Sequence, residues 1–470
     1  MSTATSKQKK KFKAPDAIVL IIVLMLLSAA LTYILPAGTY ERVLDSSTGR
    51  EMVDPNSFHS VANTPINLWG VLKSFHQGMN ESASIINFLL IIGGAFGVLN
   101  GSGALSAAIH RIAKKSVGKE RFIVLFFLIF WAVGGAFLGN FEECLPFIPM
   151  QIALCLALGF DSITGVAIGL CGVAIGYMGS MMNPFTLGIA QNIAGLPIYS
   201  GMGFRFVVWL LALLGTSFFI FRYTTIIQAN PELSVTFSID QKRNYESIDD
   251  HPTKFSKKHT WVLLEFFLAI MVMIFGVIYR DFYLTEMAGI FIALAIIMGY
   301  TASLATNEIV RHFIKGATNM LYPCICVGFA RGMTIIMTEG NILDVIVHWT
   351  TSMLNHLPGL ISAPFTFVVV SIINLFVPSG SGKAVILMPI MVPMADVLGI
   401  TRQNISLAYH MGDAITNIVS PANATLMAGL AMANIPWTTW MKWFLKIFIY
   451  LMMIGMGACS IAVLIHYGPF

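Results

Sequence analysis

Five charged side chains stand where charge is expensive. Glu142, Glu143, Arg331, Lys383 and Asp413 interrupt long runs of Leu, Ile, Val, Met and Phe, and a charge at a bilayer centre costs ~2.5–3.5 kcal/mol on insertion scales. A chain keeps such residues as an internal ion pair or as binding groups for a charged solute or a coupling ion. Lys383 with Asp413 would make a pair of the first kind, and so would Arg331 with an acidic residue of a break. Glu142, Glu143 and Lys383 also lie at polar breaks, Gly139-Asn140-Phe141-Glu142-Glu143 and Pro378-Ser379-Gly380-Ser381-Gly382-Lys383. In hydrocarbon every backbone N–H and C=O must find a partner, so irregular backbone survives only inside protein or along a polar cavity.

Two more breaks follow, at Asn183-Pro184 and at Asn417-Ile418-Val419-Ser420-Pro421. Asn140, Asn183, Ser379, Gly380, Ser381, Asn423 and Thr425 flank the breaks and could bind a solute. Asn417 and Ser420, with Asp413 and Arg331, could hold a coupling ion such as Na⁺. The same polar residues also cap broken helix ends well, and both roles can coexist. His410 faces an apolar run and reads as a packed histidine. The breaks are paired: Pro149/Pro389, Gly159/Gly399, Pro184/Pro421 and Pro197/Pro436 are 240, 240, 237 and 239 residues apart. Matched interruptions in two halves are the best sequence pointer to a solute site between them.

The elements that must position these residues are membrane helices. The chain of 470 residues is 56% hydrophobic and 11% charged, and its apolar runs reach the ~20 residues that cross a bilayer. The net charge of +5 is small and its basic residues sit in short loops, which gives nucleic-acid binding no basis. All six cysteines lie in apolar segments and suggest neither a disulfide framework nor a metal site. Gly380-Ser381-Gly382-Lys383 is not a P-loop, because Val377 stands at the first glycine position and Ala384 follows the lysine. Neither a cofactor nor an enzymatic centre is expected.

Lys7 to Lys13 precede the apolar run Ala17 to Leu35, which predicts an uncleaved first span with a cytoplasmic N-terminus. Tyr40 to Val53, around Ser47-Thr48-Gly49, predicts a short hairpin outside the membrane. The expected units are 1–82, a first span and extracytoplasmic segment; 83–221, a first repeat with its tip near 139–146; and 222–259, a cytoplasmic linker. Two connecting spans (260–317) and a second repeat (318–470, tip near 378–383) complete the chain. The limb from Pro146 to Gly159 spans ~21 Å at 1.5 Å per residue, short of a ~30 Å core, and predicts a re-entrant hairpin. Asn100 to Arg121 carries five Lys or Arg, whereas Thr338 to Leu357 carries none. Cytoplasmic loops collect positive charge, so the two repeats are expected to be inverted in topology. The fold expected is an all-α polytopic membrane protein with two inverted-topology repeats, each with a re-entrant hairpin and a broken transmembrane helix.

The two tip motifs, Met182-Asn183-Pro184-Phe185, the stretch Val377 to Pro393, Pro36-Ala37-Gly38, Gly93-Gly94-Ala95-Phe96-Gly97 and Val327-Gly328-Phe329-Ala330-Arg331-Gly332 resemble the YfcC family of proposed basic amino-acid antiporters. That group stands beside the C4-dicarboxylate uptake C family. The resemblance covers nearly the whole chain. It implies an ion-transporter-type fold with inverted repeats, two re-entrant hairpins and often a homodimeric scaffold in lipid, in the cytoplasmic membrane. It also implies an elevator-like movement of the segments 121–195 and 360–434. The Ser-Asn-Thr tip motif of the sodium symporters with that fold is absent. The function expected is secondary-active transport of a small charged organic solute, a basic amino acid such as arginine, ornithine or lysine, with a C4-dicarboxylate as the alternative. Glu142 and Glu143 would then meet the solute's side-chain cation and Lys383 its α-carboxylate.

Overall fold

The structure is a computed structural model that describes residues 17–45, 50–54, 56–115, 118–137, 141–183, 186–243, 255–280, 282, 284–354 and 358–468. α1 (Ala17–Ile34) is followed by β1 (Gly38–Thr39), β2 (Arg42–Asp45), β3 (Arg50–Val53) and β4 (His59–Ser60). β2 pairs antiparallel with β3, and β1 with β4. The hairpin expected at 40–53 is therefore present, with its turn outside the described residues. Then come α2 (Leu68–Glu81), α3 (Ala83–Gly101), α4 (Ala104–Lys115) and α5 (Glu120–Phe137). A 3-10 stretch (Glu142–Phe147) runs into α6 (Ile148–Ala157), followed by α7 (Ser162–Gly179), α8 (Leu187–Ile193) and α9 (Met202–Ala229). α10 (Phe237–Asp240), α11 (Lys257–Arg280), α12 (Leu284–Thr301) and α13 (Thr306–Asn319) lead to a second series. This comprises α14 (Leu321–Glu339), α15 (Leu343–Leu354), α16 (Gly359–Phe376), α17 (Gly380–Leu398), α18 (Arg402–Thr416), α19 (Ala424–Met432) and α20 (Trp437–Leu464).

Eight of the described helices are long and apolar enough to cross a membrane: α3, α5, α7, α9, α12, α14, α17 and α20. The protein is a nearly all-helical, multi-pass membrane protein. The order of elements repeats, with α14 to α20 following the pattern of α3 to α9. Shared punctuation has a conformational cause. Gly159 and Gly399 both end a limb at positive φ, +80° and +67°, a region glycine enters without Cβ strain. Two residues later Asp161 and Thr401 cap α7 and α18, accepting from Thr164 N and Asn404 N. The prolines are less alike. Pro149 sits in the first turn of α6, where no N–H is missed, whereas Pro389 lies inside α17. The limbs differ as well: α6 has 10 residues, about 15 Å at 1.5 Å per residue, and α17 has 19.

The structure adds packing detail at two of the expected boundaries. The linker placed at 222–259 is partly folded, because α9 continues to Ala229 and keeps Thr224 and Ile227 buried. Beyond it, the Ser234 and Tyr223 hydroxyls donate to Asp161 Oδ2 at 2.6 and 2.5 Å, and Ser162 N donates to Asp240 Oδ2 at 3.0 Å. Hydroxyls drawn to a buried carboxylate thus fold 222–243 onto the start of α7. The segments expected to move, 121–195 and 360–434, leave out α9 and α20. Those helices pack on α5 and α7 and on α16 and α18 respectively, and on each other. On the extracytoplasmic side expected for Thr338 to Leu357, Asp344 of α15 receives Tyr40 N at 3.1 Å and pairs with Arg42 at 3.2 Å. Burial and that carboxylate push the Tyr40 phenol up to about 12, so it stays neutral beside His348.

The remaining helices pack by reciprocal exchange: α2 lies on α14 and α13 on α3. Glycine makes both contacts possible. A Cβ added at Gly78 would come 2.2 Å from Gly328 O, and one added at Gly316 would come 2.1 Å from Gly93 O. Small residues let helix backbones approach within a membrane, where van der Waals packing drives association. Gly78→Ala and Gly316→Ala should each lower stability by about 1–3 kcal/mol, because the neighbouring backbone cannot yield as a side chain would. Thermal unfolding in detergent checks this against Gly134→Ala, a site with nothing within 4 Å of the added Cβ. Equal midpoints for the three variants would refute the packing account.

Candidate functional site

Every residue of α7 is buried, as is every residue of α18 from Gln403 to Thr416. The two helices need burial for different reasons. α7 is apolar all round and rich in glycine, so it packs closely on α5: a Cβ at Gly176 would meet Ala132 O at 2.3 Å. α18 instead buries Asn404, Ser406, His410, Asp413 and Thr416. Polar side chains in that position need partners. α7 and α18 pack against each other, and α8 packs against both α17 and α18. The breaks of the two series thereby meet in one region.

Lys383, in the first turns of α17, is 2% exposed and its Nζ lies 2.6 Å from Asp413 Oδ1. It also donates to Asn374 Oδ1. Asn374 Nδ2 in turn donates to Asp413 O at 2.8 Å, Thr416 Oγ1 at 2.9 Å and Asn417 Oδ1 at 2.9 Å. One amide thus fastens α16 to the end of α18. Asn423 Nδ2 reaches the same Asn417 Oδ1 at 3.2 Å, and its Oδ1 caps α19 by accepting from Leu426 N at 2.9 Å. Ser420 Oγ donates to Leu375 O at 2.6 Å. The break between α18 and α19 is held by side chains, which satisfies backbone that the helix no longer serves.

Around Gly380 the two series touch. The Tyr409 hydroxyl donates to Gly380 O. A Cβ on Gly380 would come 2.0 Å from Thr186 Cγ2, and 3.0 Å from both Tyr177 Oη and Asp413 Oδ2. No side chain fits there. Asp413 Oδ2 has no hydrogen-bond partner among the described residues. Thr186 is buried: its N–H donates to Asn183 Oδ1 at 3.1 Å, and its hydroxyl lies 3.2 Å from His410 Nδ1. The Tyr177 hydroxyl is within hydrogen-bonding reach of Thr186 and Asn183. On the other tip, the half-buried Glu142 opens the 3-10 stretch with its carboxyl within reach of the Thr425 hydroxyl, so the first tip meets the start of α19.

Most of the residues singled out in the sequence converge here, in different roles. Asn183, Asn417, Ser420 and Asn423 brace broken backbone, and Ser379 caps α17 by accepting from Gly382 N at 3.3 Å. Ser381 is exposed. Asn140 and the side chain of Glu143 lie outside the described residues. Two charged residues already have partners. Arg331 pairs with Glu81 at 2.7 Å, both side chains being exposed, because α2 lies along α14. Lys383 does not offer its ammonium to a solute in this conformation, since Asp413 and Asn374 hold it.

Tyr177, Thr186, Asn374 and Tyr409 were not singled out. Each sits inside an apolar run and carries no charge, so only the meeting of two distant helices reveals it. Arg205 was also missed. It is 1% exposed and donates to Ser180 O at 3.0 Å and Ser200 O at 2.5 Å, closing the C-terminal end of α7 with a cation. Its signal was an arginine four residues inside an apolar helix.

A cavity of about 660 Å³ opens between α3, α13 and α14 on one side and α6 and the end of α19 on the other, lined by Phe96, Asn100, Pro149, Asn319 and Asn434 among others. It shares no lining residue with the polar cluster. Away from the cavity the two groups of helices touch, since α14 packs on α19 and Ala330 and Met333 cluster with Ala422 and Met427.

Charge-bearing broken helices buried at the centre of a multi-pass helical protein define a membrane transporter. The chain belongs to the C4-dicarboxylate anaerobic carrier family (DcuC), whose profile matches residues 14–464. It is 30% identical to an Escherichia coli K12 protein, YfcC, whose name proposes a basic amino acid antiporter, over 94% of this chain and 95% of that one. It is 28% identical to an uncharacterised Haemophilus influenzae protein, over 96% and 97% of the two chains. Among solved structures, Neisseria gonorrhoeae MtrF aligns at a TM-score of 0.43 and 16% identity, covering 97% of this chain and 96% of that one. Alcanivorax borkumensis YdaH aligns at 0.42 and 18%, covering 97% and 100%.

Removing one member of a buried ion pair strands the other, which costs roughly 3–5 kcal/mol. Asp413→Asn alone should therefore lower the thermal midpoint markedly, and adding Lys383→Gln should recover most of the loss. A single variant as stable as the parent would show that the pair is not formed.

Proposed function

We propose that this protein is a secondary-active carrier of the cytoplasmic membrane that moves a basic amino acid by alternating access between the two tips. The observation that carries the reading is the engagement of Lys383 by Asp413. Once that pair is neutral, the described charge left at the tips is the Glu142 carboxylate, which suits a solute of net charge +1. An ion in a low-dielectric site is tolerable when paired. Glu142, with Glu143 beside it in sequence, meets the side-chain cation. The first-turn N–H groups of α17 receive the α-carboxylate, as helix N-termini receive anions. The name of the Escherichia coli relative suggests exchange as the mode.

Alternating access is supported by the order of elements, by the exchanged packing of α2 and α13, and by the Lys/Arg asymmetry between 100–121 and 338–357. Together these fit repeats inverted in the membrane, with α5–α6 and α16–α17 as re-entrant hairpins. The moving unit then includes α9 and α20, which pack with those hairpins. A second reading is favoured by the family description: a C4-dicarboxylate, with Glu142 protonated or bound to a cation and Lys383 released from Asp413.

Uptake into proteoliposomes, with labelled arginine, ornithine, lysine, succinate and fumarate at varied Na⁺ and pH, separates the two. Basic amino acids should be carried. Glu142→Gln should lower their transport about 10–100-fold, the roughly 1.5–3 kcal/mol of a charge-assisted hydrogen bond, and affect neutral analogues far less. Transport of succinate or fumarate with no uptake of basic amino acids would overturn the proposal.

A further inference from the structure

The reciprocal glycine contacts set a register between the two helix pairs. Gly93 and Gly97 of α3 correspond to Gly328 and Gly332 of α14, each 235 residues on, and Ser74 and Gly78 of α2 correspond to His312 and Gly316 of α13, each 238 on. The contacts agree position by position. A Cβ at Gly97 would meet His312 O at 2.2 Å, and one at Gly332 would meet Ser74 O at 2.9 Å.

The same register aligns Phe96 with Arg331 and Asn319 with Glu81 (96 + 235 and 81 + 238). Phe96 and Asn319 line the 660 Å³ cavity. Their counterparts form the Arg331–Glu81 ion pair, 2.7 Å long, with side chains 41% and 46% exposed. Arg331 is ten residues into the 19-residue α14, roughly 15 Å from its start. At that depth, two charges facing hydrocarbon would each cost ~2.5–3.5 kcal/mol on insertion scales, whereas a water-filled passage removes the cost.

We propose that Arg331 and Glu81 line the half of the solute path opposite the cavity. There they form an encounter site for a solute carrying both signs of charge. Its carboxylate exchanges onto Arg331 and its α-ammonium onto Glu81, so neither side chain is left unpaired. A dicarboxylate finds Arg331 already neutralised. The inference rests on the carrier reading and adds a second place of recognition, on the α2–α14 wall rather than at the tips.

Single thiols test the placement in the full-length protein. The six native cysteines are buried, so the parent chain serves as the blank for a membrane-impermeant maleimide. Arg331→Cys is made with Glu81→Gln, and Glu81→Cys with Arg331→Gln, so that neither variant strands a charge. Phe96→Cys and Asn319→Cys mark the cavity face. Positions 331 and 81 should be labelled from the membrane face opposite to the one that labels 96 and 319. In the parent chain with Glu81 unchanged, Arg331→Lys should raise KM for a basic amino acid several-fold with little change in kcat.

Failure of the impermeant reagent from both faces, with labelling by a membrane-permeant maleimide, would place the pair against lipid or a second copy and overturn the proposal. Labelling of all four positions from one face would overturn it too, and so would an unchanged KM. Uptake by the parent protein is measured in parallel. If no solute is carried while the opposite-face labelling holds, the carrier reading fails and the placement stands.

Discussion

The ion pair between Lys383 and Asp413 is the constraint on which the centre of this protein depends. Both side chains are buried, 2.6 Å apart, at a point where α16, α17 and α18 converge. Neither charge could be buried alone at acceptable cost. Asn374 completes the arrangement by serving both partners and the first residue past α18. Because Asn374, Ser420 and Asn423 bond to the backbone and side chains around the break, the chain can stop α18 at Thr416 and restart as α19. The glycine at position 380 follows from the same crowding, since Thr186, Tyr177 and Asp413 close on it from three sides.

Around this centre the molecule has two kinds of contact. The α5–α9 and α16–α20 helices bury polar residues and glycine-rich surfaces in one body. The α2–α14 and α3–α13 pairs instead use single glycines against glycine pairs four residues apart. The cavity lies between parts of the two groups, with Asn100 and Asn319 on one side and Asn434 on the other, while α14 packs on α19 beside it.

Much of this was legible in the sequence, and the reasons differ by element. Breaks are readable because glycine, proline and asparagine are rare inside apolar helices, so Gly159 with Gly399 and Pro184 with Pro421 stood out. The 40–53 β-hairpin followed from its turn residues, and β2 pairs with β3 as expected. The pair Lys383–Asp413 could be named only beside the alternative that each charge serves a solute or ion, because spacing along the chain does not show which charges a fold brings together. The partner of Arg331 was hidden for the same reason: Glu81 belongs to a helix 250 residues earlier. Tyr177, Thr186 and Asn374 were silent because an uncharged polar residue in an apolar run has many structural uses. Gly78 and Gly316 were silent because a single glycine gives no pattern until its partner's backbone is beside it.

The central claim is that the site, with Lys383 neutralised from within, is complementary to a cation-bearing amino acid. Its most direct test is ligand-induced stabilisation of the purified protein in detergent. A ligand that binds the folded state alone at 100 times its Kd adds about 2.7 kcal/mol. The account expects arginine, ornithine or lysine to raise the unfolding midpoint, and succinate and fumarate to leave it unchanged in the absence of added Na⁺ at neutral pH. A rise with the dicarboxylates under those conditions, and none with the basic amino acids, would contradict it.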